Sequence, residues 1–389
     1  MNIIFSTYET KEIGGSYLRS LSLAQELVKL GHTVTLWTSA KNISIKTKTS
    51  LEKNVRVIQS IGLLPYRFRR GGYDPFDVLL RTLIILLSPA KIIQSFNHRP
   101  AASIPGLVKS FFYPQTKWFI DWADLWGEGG IADRRHGPLK KITSWTDHRA
   151  EQFFIKSAPY LTCISDNLMK KAIKIRSSKK NIFYLPVGAS INHIHPIPKL
   201  KARKKLGIFK KTPILVYLFI ETYDEVFLAK SLLELYQLRK DINLLLIGPN
   251  SIPKFYSLIK SNPDLIKKII HPGLISRELL PWYLAAGDIM LLPFTNKKIN
   301  LGKSPNKLGD YLAAGRPIIS NPTGEVKKIL QKKQVGILAP ENPKLFAQAI
   351  HELLKKPTQL KTLGENARKT AESLSWESVA KQLEKFYLK

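Results

Sequence analysis

Acidic residues, cysteine and long apolar runs are all scarce in this chain of 389 residues, and each shortage excludes something. The single cysteine, Cys163, rules out a disulfide within the chain, and with it a disulfide-built scaffold, and it fits a reducing cytoplasm. The longest apolar stretch, around Leu83–Leu87, falls far short of the ~20 residues that span a bilayer, so any membrane contact is expected to be peripheral. The opening MNIIFSTYE lacks a charged segment followed by a long apolar one and reads as a first strand rather than a signal peptide. No Asp-x-Asp occurs and no His/Cys cluster has zinc-like spacing, so no metal site is expected.

The shortage of acid leaves a formal net charge of +32, from 61 basic and 29 acidic residues. The excess is even: 28 basic against 13 acidic residues in 1–195, and 33 against 16 in 196–389. Such a field attracts polyanions, including anionic headgroups and nucleotide diphosphates. A nucleic-acid binder would gather its basic residues with aromatics on one face, so the even spread makes nucleic acid an unexpected partner.

What the chain does have is two rounds of strand and helix alternation. Residues 2–7 form an apolar run ending at the glycine-bearing loop 11–16; leucines at helical spacing follow from Leu18 to Leu30, then Gly31 and the strand 33–38. Further β-rich runs at 55–58, 92–95, 118–121, 160–164 and 182–185 predict a doubly wound parallel α/β sheet. Proline, glycine and the basic run KLKARKK mark a boundary within 186–213. A second alternation has strands at 214–218, 243–248, 269–271, 289–292 and 317–320, and an amphipathic last helix near Trp376–Tyr387. The predicted domains are 1–190, joined by 375–389, and 191–374. The expected ligand position is a cleft at the carboxyl ends of the strands.

The most specific stretch is Gly302–Ser320, GKSPNKLGDYLAAGRPIIS. Four others fall around it: Gly14-Gly15 with Arg19, YLPVGAS at 184–190, HPGLISRELLPWYLAAGDIMLLP at 271–293 and LSWESVAKQLEKFY at 374–387. Together they resemble, in order along nearly the whole chain, the family-4 retaining glycosyltransferases of the GT-B fold (glycosyl transferases group 1). The resemblance implies two Rossmann-like domains facing a central cleft, with a C-terminal helix crossing back to the first. It implies transfer of a hexosyl or N-acetylhexosaminyl group from a nucleotide-diphosphate sugar to a hydroxyl of a glycan or lipid-linked acceptor, with retention and without metal or cofactor. A cytoplasmic place, with peripheral contact on the inner membrane face, goes with it as an expectation; a sugar-nucleotide epimerase on the same fold is the alternative.

Elementary chemistry distributes roles over these residues. A diphosphate wants N–H groups at a helix N-terminus and a cation nearby. Ser304, Pro305 and Asn306 stand where such a helix would begin, with Lys307 in its first turn, and Arg277 is a further cation. A ribose diol wants a carboxylate, and Asp310 lies one turn after Asn306. Gly14 and Gly15 permit close approach of backbone to ligand and are read as donor-binding, as is Gly188 in the 184–190 segment. Asp121 and Asp124, in FIDWADLWGEGG, are the candidates for holding sugar hydroxyls or taking the acceptor proton, together with Lys307 as a catalytic cation. The family's E-x7-E pattern would place a first carboxylate at 302, where this chain has Gly302, and the stretch after the strand 214–218, FIETYDE, lacks the usual Arg and Lys. Residues 61–72, IGLLPYRFRRGG, interleave apolar side chains with Arg67, Arg69 and Arg70 and suggest an anionic membrane surface as partner.

Overall fold

A computed structural model describes residues 1–11, 14–69, 71–138, 140–209, 211–218, 224–249 and 251–389, the side chains of Arg67 and Phe68 excepted. Strands are β1 (Asn2–Thr10), β2 (Thr33–Ser39), β3 (Lys48–Glu52), β4 (Val55–Gln59), β5 (Ile92–Phe96), β6 (Lys117–Trp122), β7 (Tyr160–Cys163), β8 (Ile182–Tyr184), β9 (Ile214–Leu218), β10 (Asn243–Ile247), β11 (Ile269–Gly273), β12 (Ile289–Leu292), β13 (Ile318–Ser320) and β14 (Gly336–Leu338). Helices are α1 (Gly15–Lys29), α2 (Tyr66–Arg69), α3 (Pro75–Leu86), α4 (Pro100–Phe112), α5 (Lys140–Ser157), α6 (Asp166–Arg176), α7 (Lys199–Lys205), α8 (Glu225–Leu238), α9 (Pro253–Ile259), α10 (Pro263–Ile266), α11 (Leu280–Ala286), α12 (Lys298–Gly302), α13 (Asn306–Ala313), α14 (Gly324–Lys333), α15 (Pro343–Leu354), α16 (Pro357–Ser373) and α17 (Trp376–Leu388). Two compact units result: Met1–Gly188 with Leu301–Ser304 and Trp376–Lys389, and Ala189–Asn300 with Pro305–Ser375.

The first unit holds an eight-stranded sheet of order β3-β4-β2-β1-β5-β6-β7-β8, parallel except for the β3–β4 hairpin. Alternate side chains of the strands feed opposite faces. Ile4, Ile93, Trp118 and Ile120 pack with Ile85 of α3, Ile104 of α4, Ile155 of α5 and Leu168 of α6. Ile3, Phe5, Phe96 and Phe119 pack on the other side with Leu23 and Leu27 of α1 and Leu383 and Tyr387 of α17. So α3–α6 share one face, and the C-terminal helix belongs to the other. Gly188 is buried against that helix: a Cβ there would lie 2.3 Å from the Trp376 ring, so packing alone is enough to require glycine at this donor-binding candidate.

Asp121 likewise has structural partners. It sits on β6, wholly buried, taking Arg19 Nε at 2.7 Å and Nη2 at 3.1 Å, and the Thr162 hydroxyl at 2.6 Å. Arg19 also donates to the Leu185 and Pro186 carbonyls at 2.9 and 2.8 Å. The pair ties α1, β6, β7 and the segment after β8 together, and both carboxylate oxygens are spent on it.

The second unit holds a six-stranded, wholly parallel sheet of order β11-β10-β9-β12-β13-β14. Its inner strands β10, β9, β12 and β13 are buried on both faces and are correspondingly rich in Leu, Ile and Val, while the edge strands β11 and β14 are half-exposed. The Tyr311 hydroxyl of α13 accepts from Leu218 N at 2.8 Å and donates to Leu291 O at 3.1 Å, fastening the helix to the ends of β9 and β12.

Arg19→Met strands a buried carboxylate, so chemical denaturation should show a loss of about 3–5 kcal/mol; a loss below ~1 kcal/mol, the value of a surface pair, would contradict this structural assignment.

Candidate functional site

Each sheet has one strand from which the chain departs in opposite directions, and that is where an open α/β sheet binds its ligand. In the first unit it is β1, between β2 and β5; in the second it is β9, between β10 and β12.

At β1 the glycine turn leads into α1 as expected, with Gly14 at φ 101° and capping the helix. What the sequence reading missed is Glu9. Its carboxyl accepts from Tyr17 N at 2.7 Å, and a Cβ on Gly14 would lie 2.2 Å from it. The α1 N-terminus is therefore already occupied by a carboxyl of the chain itself, at the turn where Gly14 and Gly15 had been assigned to a donor. Burial pushes the Glu9 carboxyl up to about 8, with the Asp124 charge adding to the rise against the N–H groups of Tyr17 and Ser16. The available signal was an acid directly after the apolar run of β1 and just before two glycines.

Asp124 is part of the same cluster. Asn97, at the end of β5 with φ 65°, accepts from the Ala123 and Asp124 N–H groups at 3.1 Å each. Its amide donates to Ser16 Oγ at 2.9 Å and to Asp124 Oδ2 at 3.2 Å. Next along the chain, His98 is buried with neither ring nitrogen hydrogen-bonded, and burial, then the Arg99 and Lys171 cations, hold it neutral. Arg99 is stacked 4.1 Å from the Trp126 ring and 4.4 Å from Tyr73, and pairs with Asp147 of α5 at 2.7 Å. Glu151, one turn later on α5, takes Trp126 N at 2.9 Å. The loop after β6 is thus moored from below by α5 and from the side by Asn97. Asp124 and Glu9 thus bring two carboxyls into one hydrogen-bonded cluster at the end of β1.

In the second unit α13 starts at Asn306 with Pro305 as its cap, a residue with no side-chain acceptor to offer the first turn. Lys307 in that turn donates to Leu218 O at 3.1 Å and lies 4.9 Å from the Tyr217 ring centroid, so the cation stands at the carboxyl end of β9. Asp310 follows one turn on. Burial pushes its carboxyl up to about 6, opposed by the Arg277 guanidinium. The structure so groups Lys307, Asp310 and Arg277. Ser304 is buried and belongs with the first unit, as does Gly302. A Cβ at Gly302 would stand 3.3 Å from both Leu125 and Leu168, and its carbonyl accepts from Ser165 at 2.8 Å, so the position is built for packing rather than for a carboxylate. Phe219–Tyr223, most of the FIETYDE stretch, lie outside the described residues. Among the described residues no group of His, Cys, Asp and Glu is disposed to hold a metal ion.

The arginine loop 61–72 is also revised. Arg69 is buried, donating to the carbonyls of Leu64, Ala40, Lys41 and Asn42, and is withheld from any headgroup. The Arg67 side chain and Arg70 lie outside the described residues.

Comparison with known proteins gives a consistent result. The chain is 24% identical to a D-inositol 3-phosphate glycosyltransferase of Corynebacterium glutamicum (strain R), over 97% of this chain and 92% of the other. Its fold matches sucrose-phosphate synthase from Thermosynechococcus elongatus at TM-score 0.78 and 17% identity, covering 100% of this chain and 98% of that one. It matches Anabaena HepE, solved in complex with UDP-glucose, at TM-score 0.73 and 14% identity, covering 99% and 98%.

Above its ordinary range, the Glu9 carboxyl keeps its proton in the folded chain between about pH 4.5 and about 8 and loses it on unfolding. Stability should therefore fall as pH rises through that window, by at most ~1.4 kcal/mol per pH unit, relative to Glu9→Gln, which has no proton to lose. Parallel unfolding curves of the two proteins from pH 5 to 9 would remove the buried, proton-linked role of Glu9. Residues 222–356 match the profile of the family Glycosyl transferases group 1, within a chain that has the two-domain α/β GT-B fold, and the matches together support glycosyl transfer as its activity class.

Proposed function

We propose that the protein moves a sugar from a nucleoside-diphosphate sugar to a hydroxyl of a glycan or lipid-linked acceptor, retaining the anomeric configuration and using no metal. The observation that carries this reading is the grouping of Lys307, Asp310 and Arg277 around the start of α13, beside the end of β9. In the transfer the bond from the anomeric carbon to the leaving phosphate oxygen breaks, and charge develops on the diphosphate. The Lys307 ammonium and the positive end of α13 stabilise that charge in place of a metal. Asp310 accepts from the two ribose hydroxyls. The new bond forms to the acceptor oxygen, whose proton must leave, and Asp124 in the first unit is the carboxylate we assign to that hydroxyl. Anabaena HepE, of the same fold, binds UDP-glucose, which supports a nucleotide sugar as donor. The relatives described above lend the epimerase reading no support.

Titration calorimetry with UDP, GDP and ADP and their sugars tests the donor site. Asp310→Ala should weaken the preferred nucleotide by about 1.5–3 kcal/mol, as removal of a charged hydrogen-bond partner does. Because the ionised carboxylate is the acceptor, wild-type affinity should also drop as pH is lowered through about 6. Equal affinity of variant and wild type for every nucleotide would overturn the assignment. Turnover should survive EDTA; activity abolished by the chelator and restored by Mn²⁺ would show that a metal, not Lys307, neutralises the leaving group.

A further inference from the structure

Helices α3, α4 and α5 lie side by side in sequence on one face of the first sheet, and every acid they contain is buried. Asp77 of α3 is paired with Arg81 at 2.9 Å, and both side chains are inside. Asp147 and Glu151 of α5 point inward, to Arg99 and to Trp126 N. The outward side of α5 then carries no acid, and beside the exposed Thr146 and Ser157 it presents cations and large apolar groups. Ile142, Trp145 and Phe153 are 62%, 59% and 55% exposed, set among the exposed Lys140, Lys141, Arg149 and Lys156. On α3, Phe76, Leu79 and Leu83 recur at helical spacing, 45%, 60% and 50% exposed, and α4 ends in Phe111 and Phe112 at 76% and 64%. Between α3 and α4 runs an apolar groove of about 360 Å³ lined by Tyr73, Pro75, Val78, Leu79, Pro100 and Ile104.

We infer that this face is an interfacial docking surface for an anionic phospholipid bilayer, with α5 lying in the headgroup plane. Two features select that occupant. The core of a protein–protein interface is depleted of charge, whereas here lysines and arginine alternate with aromatic and aliphatic groups. The complete withdrawal of acid from three helices matches a surface of uniform negative charge, and Trp and Phe among Lys and Arg suit the boundary between headgroups and acyl chains. Contact is peripheral, since among the described residues no helix is long and apolar enough to cross a membrane. The surface is distinct from the loop 61–72 that the sequence pointed to, and it does not depend on the donor reading, because it lies wholly in the first unit.

Co-sedimentation of the full chain with vesicles of equal parts phosphatidylcholine and phosphatidylglycerol tests it, with pure phosphatidylcholine vesicles alongside. The unmodified protein should sediment with the anionic vesicles and be released by salt. Lys141→Gln, Arg149→Gln and Lys156→Gln together should weaken binding on the order of a hundredfold, at about fivefold per cation. Ile142→Ser, Trp145→Ser and Phe153→Ser together should abolish it. Brominated acyl chains should quench the fluorescence that Trp145→Phe removes, a readout that needs no triple variant to fold. Failure of the unmodified protein to sediment at low ionic strength, equal binding to neutral vesicles, absence of quenching at Trp145, or self-association through this face without vesicle binding would each overturn the inference. Nucleotide affinity measured on the same preparations reports separately on the donor site.

Discussion

Both candidate sites exist because a right-handed crossover can leave a strand on either side. In each sheet the first strand laid down ends in the interior, its neighbours having been added in opposite directions, so the carboxyl end of that strand is left uncovered by its own connections. Whatever follows it is placed at the opening without further instruction. After β1 that is the glycine turn and the start of α1. Beside β9 it is α13, fastened by the Tyr311 hydroxyl to two strand ends at once. Lys307 and Asp310 share one helical face one turn apart, so fixing the helix fixes both.

Charge is disposed by the same economy. Three arginine–aspartate pairs, Arg19–Asp121, Arg81–Asp77 and Arg99–Asp147, lie inside the first unit. Buried pairs of this kind give little net stability, but they tolerate only one arrangement of the elements that carry them. Each pair buries one cation with one anion and so leaves the net charge of the surface unchanged, but with 61 basic and only 29 acidic residues in the chain it thins the acid that remains outside. The interior of the unit and the charge of its outer face are thus one design.

Much of the fold was legible because period and length are strong signals. The strands flanking each switch point were apolar runs bounded by glycine or polar turns, and the helix at Asn306 and the last helix were placed correctly. The strands that escaped notice have weak signals: β3 reads Lys48–Glu52 with no apolar run, and β14 has three residues. Among the site residues, those on helices were legible in place, since Lys307 and Asp310 depend on local spacing alone. Asp121 and Gly188 have structural partners that the sequence did not reveal, for a physical reason. Their partners, Arg19 and Trp376, are distant in sequence, and nothing local distinguishes an acid at a strand end that meets a ligand from one that meets an arginine. Glu9, Asn97 and His98 went unremarked because single polar residues at strand ends carry no pattern.

The two helix N-termini that the sequence nominated for phosphate are not equivalent once the side chains are in place. A helix start offers its first N–H groups to an acceptor, and they are satisfied by whichever acceptor is placed there first. At α1 the chain supplies its own: the Glu9 carboxyl receives Tyr17 N, and Gly14 has no Cβ because that space is taken. A diphosphate there would have to displace Glu9 and would face Asp124 as well. At α13 the capping residue is Pro305, which has no side-chain acceptor, and the first turn carries Lys307, so the local field remains positive. The two turns therefore differ in what they leave open, the first being filled by a carboxyl of the chain and the second carrying a cation without a side-chain cap, a difference that follows from where one glutamate points.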